Sequence, residues 1–188
     1  MTPFPVFLKL ADRRVLLVGG GRVAASKLSA LLEAGARVTV VAPHIGPDLD
    51  QPGVELVRRA FQPADLDGCW FVVAAATPEV GRQVASAAAE RRMFVNAADD
   101  AQSASAYLGS VVRRGGVTLA ISTGGRAPAL AALLREALES LLPSDLGDWM
   151  AIAWSMRARW RKEGLPMSAR RPLLLRALDE LYTARKTA

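Results

Sequence analysis

The sequence predicts an α/β chain: a parallel sheet whose strands alternate with helices, then a smaller mixed region and a helical tail. Three observations predict it. Val15-Leu16-Leu17-Val18 is a short apolar run with the length and valine content of a buried strand, and three glycines follow it at once. From Ala24 the apolar residues Ala25, Leu28, Leu31 and Leu32 recur at helical spacing. Further apolar runs then alternate with helical segments, the signature of a parallel sheet with right-handed crossovers.

Element by element, the first strand covers 13–18 and the first helix about 22–34, stopped by Gly35. Arg37–Val41 is the second strand, closed by Ala42-Pro43, and Val54–Val57 the third. Trp70–Ala75 is the fourth, followed by a helix from about Glu79 to Arg91, and Met93–Asn96 is the fifth. Beyond residue 98 the pattern changes. Tyr107–Val112 and Val117–Ile121 read as two strands joined through Arg113-Arg114-Gly115-Gly116. Leu130, Leu133, Leu134, Ala137, Leu138 and Leu141 mark an amphipathic helix opened by Pro128 and ended by Pro143. Two more helices are expected near 145–162 and 168–184, separated by Gly164-Leu165-Pro166.

The 188 residues carry a single cysteine, Cys69, so no internal disulfide forms; that suits a reducing cytoplasm. The lone histidine, His44, excludes a His-rich metal cage. No apolar run approaches the ~18 residues that span a bilayer, and the first residues lack the charged-then-apolar pattern of a secretion signal. The expectation is a cytoplasmic protein with no membrane partner. The net charge of +6 lies wholly in residues 151–188, which hold nine basic side chains against Glu163, Asp179 and Glu180. Such a tail suits an anionic partner, whether a polycarboxylate, a nucleic acid or a membrane surface, or is simply a solvated helical face. It has few interleaved aromatics beyond Trp154 and Trp160, which argues against nucleic acid.

The candidate chemistry gathers at three places. Gly19-Gly20-Gly21-Arg22-Val23-Ala24 is a Gly-x-Gly-x-x-Ala turn between strand and helix, the context of a dinucleotide fingerprint. There Gly19 permits the tight turn, Gly21 lets the backbone approach a pyrophosphate, and Ala24 packs the helix close to the strand. The acidic residue that normally follows the second strand is absent: Val41-Ala42-Pro43-His44 stands there, leaving the ribose to backbone groups or His44, or leaving His44 an exposed loop residue. Asn96-Ala97-Ala98-Asp99-Asp100 lies past the fifth strand, where such sheets bind ligands. Paired carboxylates can tune a general base, and Asp also caps helices and turns. Ser122-Thr123-Gly124-Gly125 opens a helix, as an anion cradle or a cap. No Ser–His–Asp arrangement or zinc spacing is available.

These segments, with Pro5-Val6-Phe7 and Ile121–Ala131, occur in an order that resembles the precorrin-2 dehydrogenase / sirohydrochlorin ferrochelatase family, the dehydrogenase part of sirohaem synthase. The resemblance covers about residues 1–142. It implies a Rossmann-like NAD-binding domain over 1–105, a dimerisation region over 106–143 and a basic helical region over 144–188. It further implies a homodimer that takes a hydride and a proton from precorrin-2 to give sirohydrochlorin, with insertion of Fe²⁺ or Co²⁺ in some members. On this resemblance Asp99 is the catalytic base. Gly19, Gly21, Arg22, Val23, Pro43, His44 and Thr77 hold NAD, and Asn96, Ser122, Thr123, Gly124, Gly125 and Arg126 face the substrate. No resident metal site is implied. Where the family has Phe and, three residues on, Pro after its Asn-x-x-Asp, this chain has Ala106 and Gly109, with Tyr107 adjacent. The sequence ends without a methyltransferase domain, so precorrin-2 is expected from another protein. A non-catalytic NAD(H)-sensing module is the rival reading, and it has no use for Asp99.

Overall fold

The computed structural model describes residues 3–98 and 100–186, with side chains through Thr183. The chain divides into two compact units, one formed by the residues up to Leu108 with Ser122–Ala127, the other by Gly109–Ile121 with Pro128 onward.

In the first unit β1 (Arg14–Val18), β2 (Arg37–Val41), β3 (Glu55–Val57), β4 (Phe71–Ala74) and β5 (Val95–Ala97) make one parallel sheet in the order β3-β2-β1-β4-β5. Helices α1 (Arg22–Glu33) and α2 (Pro78–Glu90) belong to the same unit. Side chains alternate across the strands, and the sequence fills both sides. Val15 and Leu17 join Leu28, Leu31, Val38, Val40 and Val73 in one buried cluster. Leu16 and Val18 join Val41, Val72, Val84, Ala88 and Val95 in the other. Each fully buried Leu or Val contributes roughly 1.5–3 kcal/mol of transfer free energy, so these two layers dominate the stability of the unit. Gly35, at φ +73, ends α1 as expected, its amide bonded to the Leu32 carbonyl at 2.9 Å.

Four expectations shift. The fifth strand begins at Val95 rather than Met93, because the Met93 amide is drawn back to the Ala88 carbonyl and Arg92 turns through φ +54. The next strand begins at Ser110 rather than Tyr107, since residues 105 and 106 donate their amides to the Val95 carbonyl instead. The hairpin turn contracts to Gly115-Gly116, both at positive φ, and Arg113 and Arg114 pair inside the strand. Trp70 lies just outside β4, its ring covered by the Arg13 guanidinium at 4.0 Å.

Between β3 and β4 the chain is pinned by Asp65. Its carboxylate accepts from the Gln62 amide at 2.8 Å and from both terminal nitrogens of Arg59. The Arg59 hydrogen bonds hold the Asp65 carboxyl below its usual range. A depressed carboxyl stabilises the fold above the unfolded value near 3.9 and loses that contribution as pH falls through the folded value. Asp65→Ala is therefore expected to lower unfolding stability by about 1–2 kcal/mol at pH 7. The difference from wild type shrinks in urea titrations repeated at pH 3.

The second unit holds the antiparallel pair β6 (Ser110–Arg114) and β7 (Val117–Ile121), with α3 (Pro128–Leu141), α4 (Leu146–Lys162) and α5 (Met167–Lys186). A Cβ on Gly115 would stand 2.2 Å from the Gly147 amide nitrogen, so the hairpin turn abuts the start of α4 backbone to backbone. Trp149 Nε1 donates to the Tyr182 hydroxyl at 2.7 Å, which donates to Asp145 Oδ1 at 3.2 Å, tying α4 to α5. No helix among the described residues is long and apolar enough to cross a membrane.

Candidate functional site

The glycine turn after β1 is dictated by how closely its neighbours approach. Gly19 has φ +135, and a Cβ there would lie 2.1 Å from the Ala75 carbonyl oxygen. At Gly20 a Cβ would lie 1.7 Å from the His44 carbonyl oxygen. The Gly46 amide closes the same contact by bonding the Gly20 carbonyl at 2.9 Å. At Gly21 the outcome is opposite, with no atom within 4 Å of an added Cβ. Two glycines therefore let β1, β2 and β4 converge, and the third keeps a space open.

That space is a cleft of about 500 Å³ at the carboxyl ends of β1, β2 and β4. It is lined by Val18–Gly21, Val41–His44, Ala60, Phe61, Ala75–Thr77, Val80 and Gln83, with no Asp, Glu, Lys or Arg among them. Gly21 caps α1 without a side-chain hydrogen bond, so the amides of its first turn remain donors at the positive end of the helix. A pyrophosphate fits those donors, and the small residues beside them leave room for it. Thr77 caps α2 while its hydroxyl makes no cap bond, leaving the O–H to a ligand. Where a ribose-binding carboxylate normally stands, the cleft has Pro43 and His44. The donor set and shape fit a dinucleotide.

Gly19, Gly21, Pro43, His44 and Thr77 thus line one cleft, while Arg22 and Val23 open α1 on its exposed side, outside the lining. Sequence reasoning missed Gly20, whose crowding arises from a segment 24 residues away. It also missed Phe61, Ala75, Ala76, Val80 and Gln83. Ala75 and Ala76 follow the apolar run of β4, a signal that could have marked them. Phe61 carries none.

Past β5, Asn96 is buried at 7% exposure. Its Nδ2 donates to the Ala106 carbonyl at 3.0 Å, and its Oδ1 has no partner among the described residues. Asp100 resolves as a turn residue. Its carboxylate accepts from the Gln102 and Ser103 amides, each at 3.1 Å, and from the Ser103 hydroxyl at 2.6 Å. The Ser103 hydroxyl foremost, then the amides, depress its proton affinity. Asp99, expected to be the base, lies outside the described residues.

In the turn before α3, Ser122 Oγ accepts from the Gly124 amide and Thr123 Oγ1 from the Ala127 amide, both at 3.2 Å. These bonds use lone pairs and leave both O–H hydrogens to donate. Gly124 and Gly125 sit at φ +62 and +75, and Arg126 is exposed. A Cβ on Gly125 would lie 3.0 Å from the Ala101 Cβ, so this turn meets the loop that carries Asp100. Among the described residues no group of three or more His, Cys, Asp or Glu is arranged to hold a metal ion.

Known proteins agree with this arrangement. A family model described as putative NAD(P)-binding matches residues 6–110, and one described as sirohaem biosynthesis protein central matches 114–141. The chain is 44% identical over 176 residues to a siroheme synthase of Citrobacter koseri and 43% identical over 176 to siroheme synthase 3 of Aeromonas hydrophila. Both matches cover 91% of this chain and 38% of the relative, so the chain spans well under half the length of these relatives. Among solved structures it is similar to SirC, a precorrin-2 dehydrogenase, with a TM-score of 0.70 and 25% identity over 96% of this chain and 92% of that one. With its glycine turn, its cleft and more than half its length inside the first model, the chain belongs to the putative NAD(P)-binding family, and the match to the sirohaem biosynthesis protein central model lies just after it.

Proposed function

We propose that this chain oxidises precorrin-2 to sirohydrochlorin with NAD⁺, as a cytoplasmic homodimer. The observation that supports it most is the glycine-lined cleft at the strand ends, in a chain similar over 96% of its length to a precorrin-2 dehydrogenase. When bound, NAD⁺ supplies the acceptor for a hydride. The chain's part is to orient both reactants and to take a proton. The free amides at the start of α1, Arg22 and Val23 among them, hold the pyrophosphate. His44 and the Pro43 backbone hold the ribose, and the Thr77 hydroxyl, in the same lining, reaches the cofactor. Asp99 accepts the proton released as the hydride leaves. Ser122–Gly125 bind substrate carboxylates through O–H and amide donors, Arg126 adds its charge, and the buried Asn96 steadies the loop after β5 beneath the substrate through the Ala106 carbonyl.

Residues 106–143 form the dimerisation region in this reading, and 144–188 a basic helical region that attracts the acidic macrocycle. The leucines of α3 support a dimer: Leu133 is 62% and Leu141 76% exposed, with Leu130 and Leu134 on the same helix also exposed. An apolar stripe of this kind suits a self-complementary interface. Leu133→Glu is expected to shift the protein to monomer in sedimentation velocity at micromolar concentration; an unchanged dimer would remove α3 from the interface.

The activity is tested by mixing protein, precorrin-2 and NAD⁺ and following NADH and macrocycle absorbance. The expected result is one NADH per sirohydrochlorin. NAD⁺ binding with no turnover would instead identify a sensing module. Adding Fe²⁺ or Co²⁺ to the same mixture tests metal insertion, with the ion as substrate.

A further inference from the structure

One side chain joins the loop after β5 to the turn before α3. The Tyr107 hydroxyl donates to the Ala101 carbonyl at 3.2 Å. The Gly125 position faces the Tyr107 ring, since a Cβ there would stand 3.5 Å from Tyr107 Cε1 as well as 3.0 Å from Ala101 Cβ. The turn is therefore seated on both residues, closely enough that a methyl group at Gly125 would have to displace Ala101 by a few tenths of an ångström.

Each side of this junction is internally braced. Asp100 holds the Gln102 and Ser103 amides, and its carbonyl accepts from the Ala104 amide at 3.2 Å. The Ala106 amide bonds the Val95 carbonyl at 2.9 Å, anchoring the residue before Tyr107 to β5. On the other side Thr123 bonds the amides of Arg126 and Ala127. Between two braced turns, Tyr107 supplies a hydrogen bond to one and an aromatic wall to the other.

We propose that Tyr107 is a positioning residue that locks the turn after β5 to the Ser122–Ala127 turn, so that the groups they present to substrate keep one spacing. The inference rests on reading Ser122–Arg126 as the anion-binding turn for precorrin-2. Tyr107 has no direct part in the chemistry, because its hydroxyl proton is committed to Ala101. Nor does it touch the cofactor, since neither Tyr107, Ala101 nor Gly125 lines the dinucleotide cleft.

The test compares the full chain with Tyr107→Phe and Tyr107→Ala. Hydrogen exchange comes first, as it needs no substrate. In Tyr107→Ala the amides of residues 102–104 and of 124, 126 and 127 are expected to exchange at least tenfold faster together, with β1 and β4 unchanged. Tyr107→Phe keeps the ring and loses one net hydrogen bond, so the rise is roughly threefold to tenfold and is confined to 102–104. In kinetics Tyr107→Ala raises the KM for precorrin-2 about tenfold and lowers kcat, with the KM for NAD⁺ unchanged, and Tyr107→Phe recovers most of both. Loosening of one turn alone in Tyr107→Ala overturns the inference, as does loosening of neither. So do two loosened turns with unaltered precorrin-2 kinetics, or an equal rise in the KM for NAD⁺. If the wild-type protein fails to oxidise precorrin-2, the functional reading falls, while the exchange data still decide whether Tyr107 locks the turns.

Discussion

Gly20→Ala is expected to destroy NAD⁺ binding together with much of the stability of the first unit. The added Cβ would lie 1.7 Å from the His44 carbonyl oxygen and 3.1 Å from the Ala42 Cβ. The first of these is backbone, and the Gly46 amide holds the same corner shut through the Gly20 carbonyl. Relief requires β1 and the end of β2 to separate, which disturbs Val18 and Val41, both buried. A cost of about 3 kcal/mol or more follows from forcing such a backbone shift in a packed core. Gly21→Ala is the contrasting case. Its Cβ meets no protein atom within 4 Å, and Gly21 already has an extended backbone at φ −101. Its stability should stay within about 0.5 kcal/mol of wild type. NAD⁺ affinity should nevertheless fall at least tenfold, because the methyl group occupies the approach of the pyrophosphate. Thermal unfolding by circular dichroism and titration calorimetry with NAD⁺ separate the two variants. Tight NAD⁺ binding by Gly21→Ala would place the dinucleotide elsewhere.

The contrast between these glycines also marks what the sequence can disclose. Gly19, Gly21 and Ala24 were readable because their roles depend on a local strand–turn–helix, whose signals lie within ten residues. Gly20 owes its necessity to His44, which only the folded sheet brings alongside, so no spacing rule exposes it. Phe61 is similar: it lines the cleft from a segment that the Arg59–Asp65 pair folds back, with no periodic pattern to announce it. The five parallel strands were legible because Val, Leu and Phe fill both faces, and the misplaced starts of β5 and β6 fell where Arg92 turns through φ +54 and where the 105 and 106 amides bond back to Val95. The adjacent carboxylates after β5 presented two chemical roles in one dipeptide. Side-chain hydrogen bonds assign a structural role to Asp100, and bonds of that kind follow from loop geometry rather than from composition.

That assignment leads to the second large effect. Asp99→Asn should lower kcat for precorrin-2 oxidation by ~10²–10⁴-fold, the usual worth of a general base, with NAD⁺ affinity retained. Asp100 is poorly suited to that role. Two amides and the Ser103 hydroxyl already occupy its oxygens, and they hold its proton affinity low. A carboxyl in that state stays ionised through the neutral range and resists taking a proton from substrate. Its contribution to the fold is present above the unfolded value near 3.9 and fades as pH falls through its lower folded value. An acid limb of kcat above pH 5 therefore belongs to another group. Asp100→Asn keeps its acceptor oxygen for the two amides while the Ser103 hydroxyl turns to accept from the new N–H₂, so only the charge-assisted strength of these bonds is lost and kcat falls by less than about tenfold. The pH at which the acid limb bends should not move in Asp100→Asn, and the residual rate in Asp99→Asn should lose that limb altogether. Near-normal turnover in Asp99→Asn, or a shifted limb in Asp100→Asn, would transfer the proton to a different acceptor and leave Asp99 without a catalytic part.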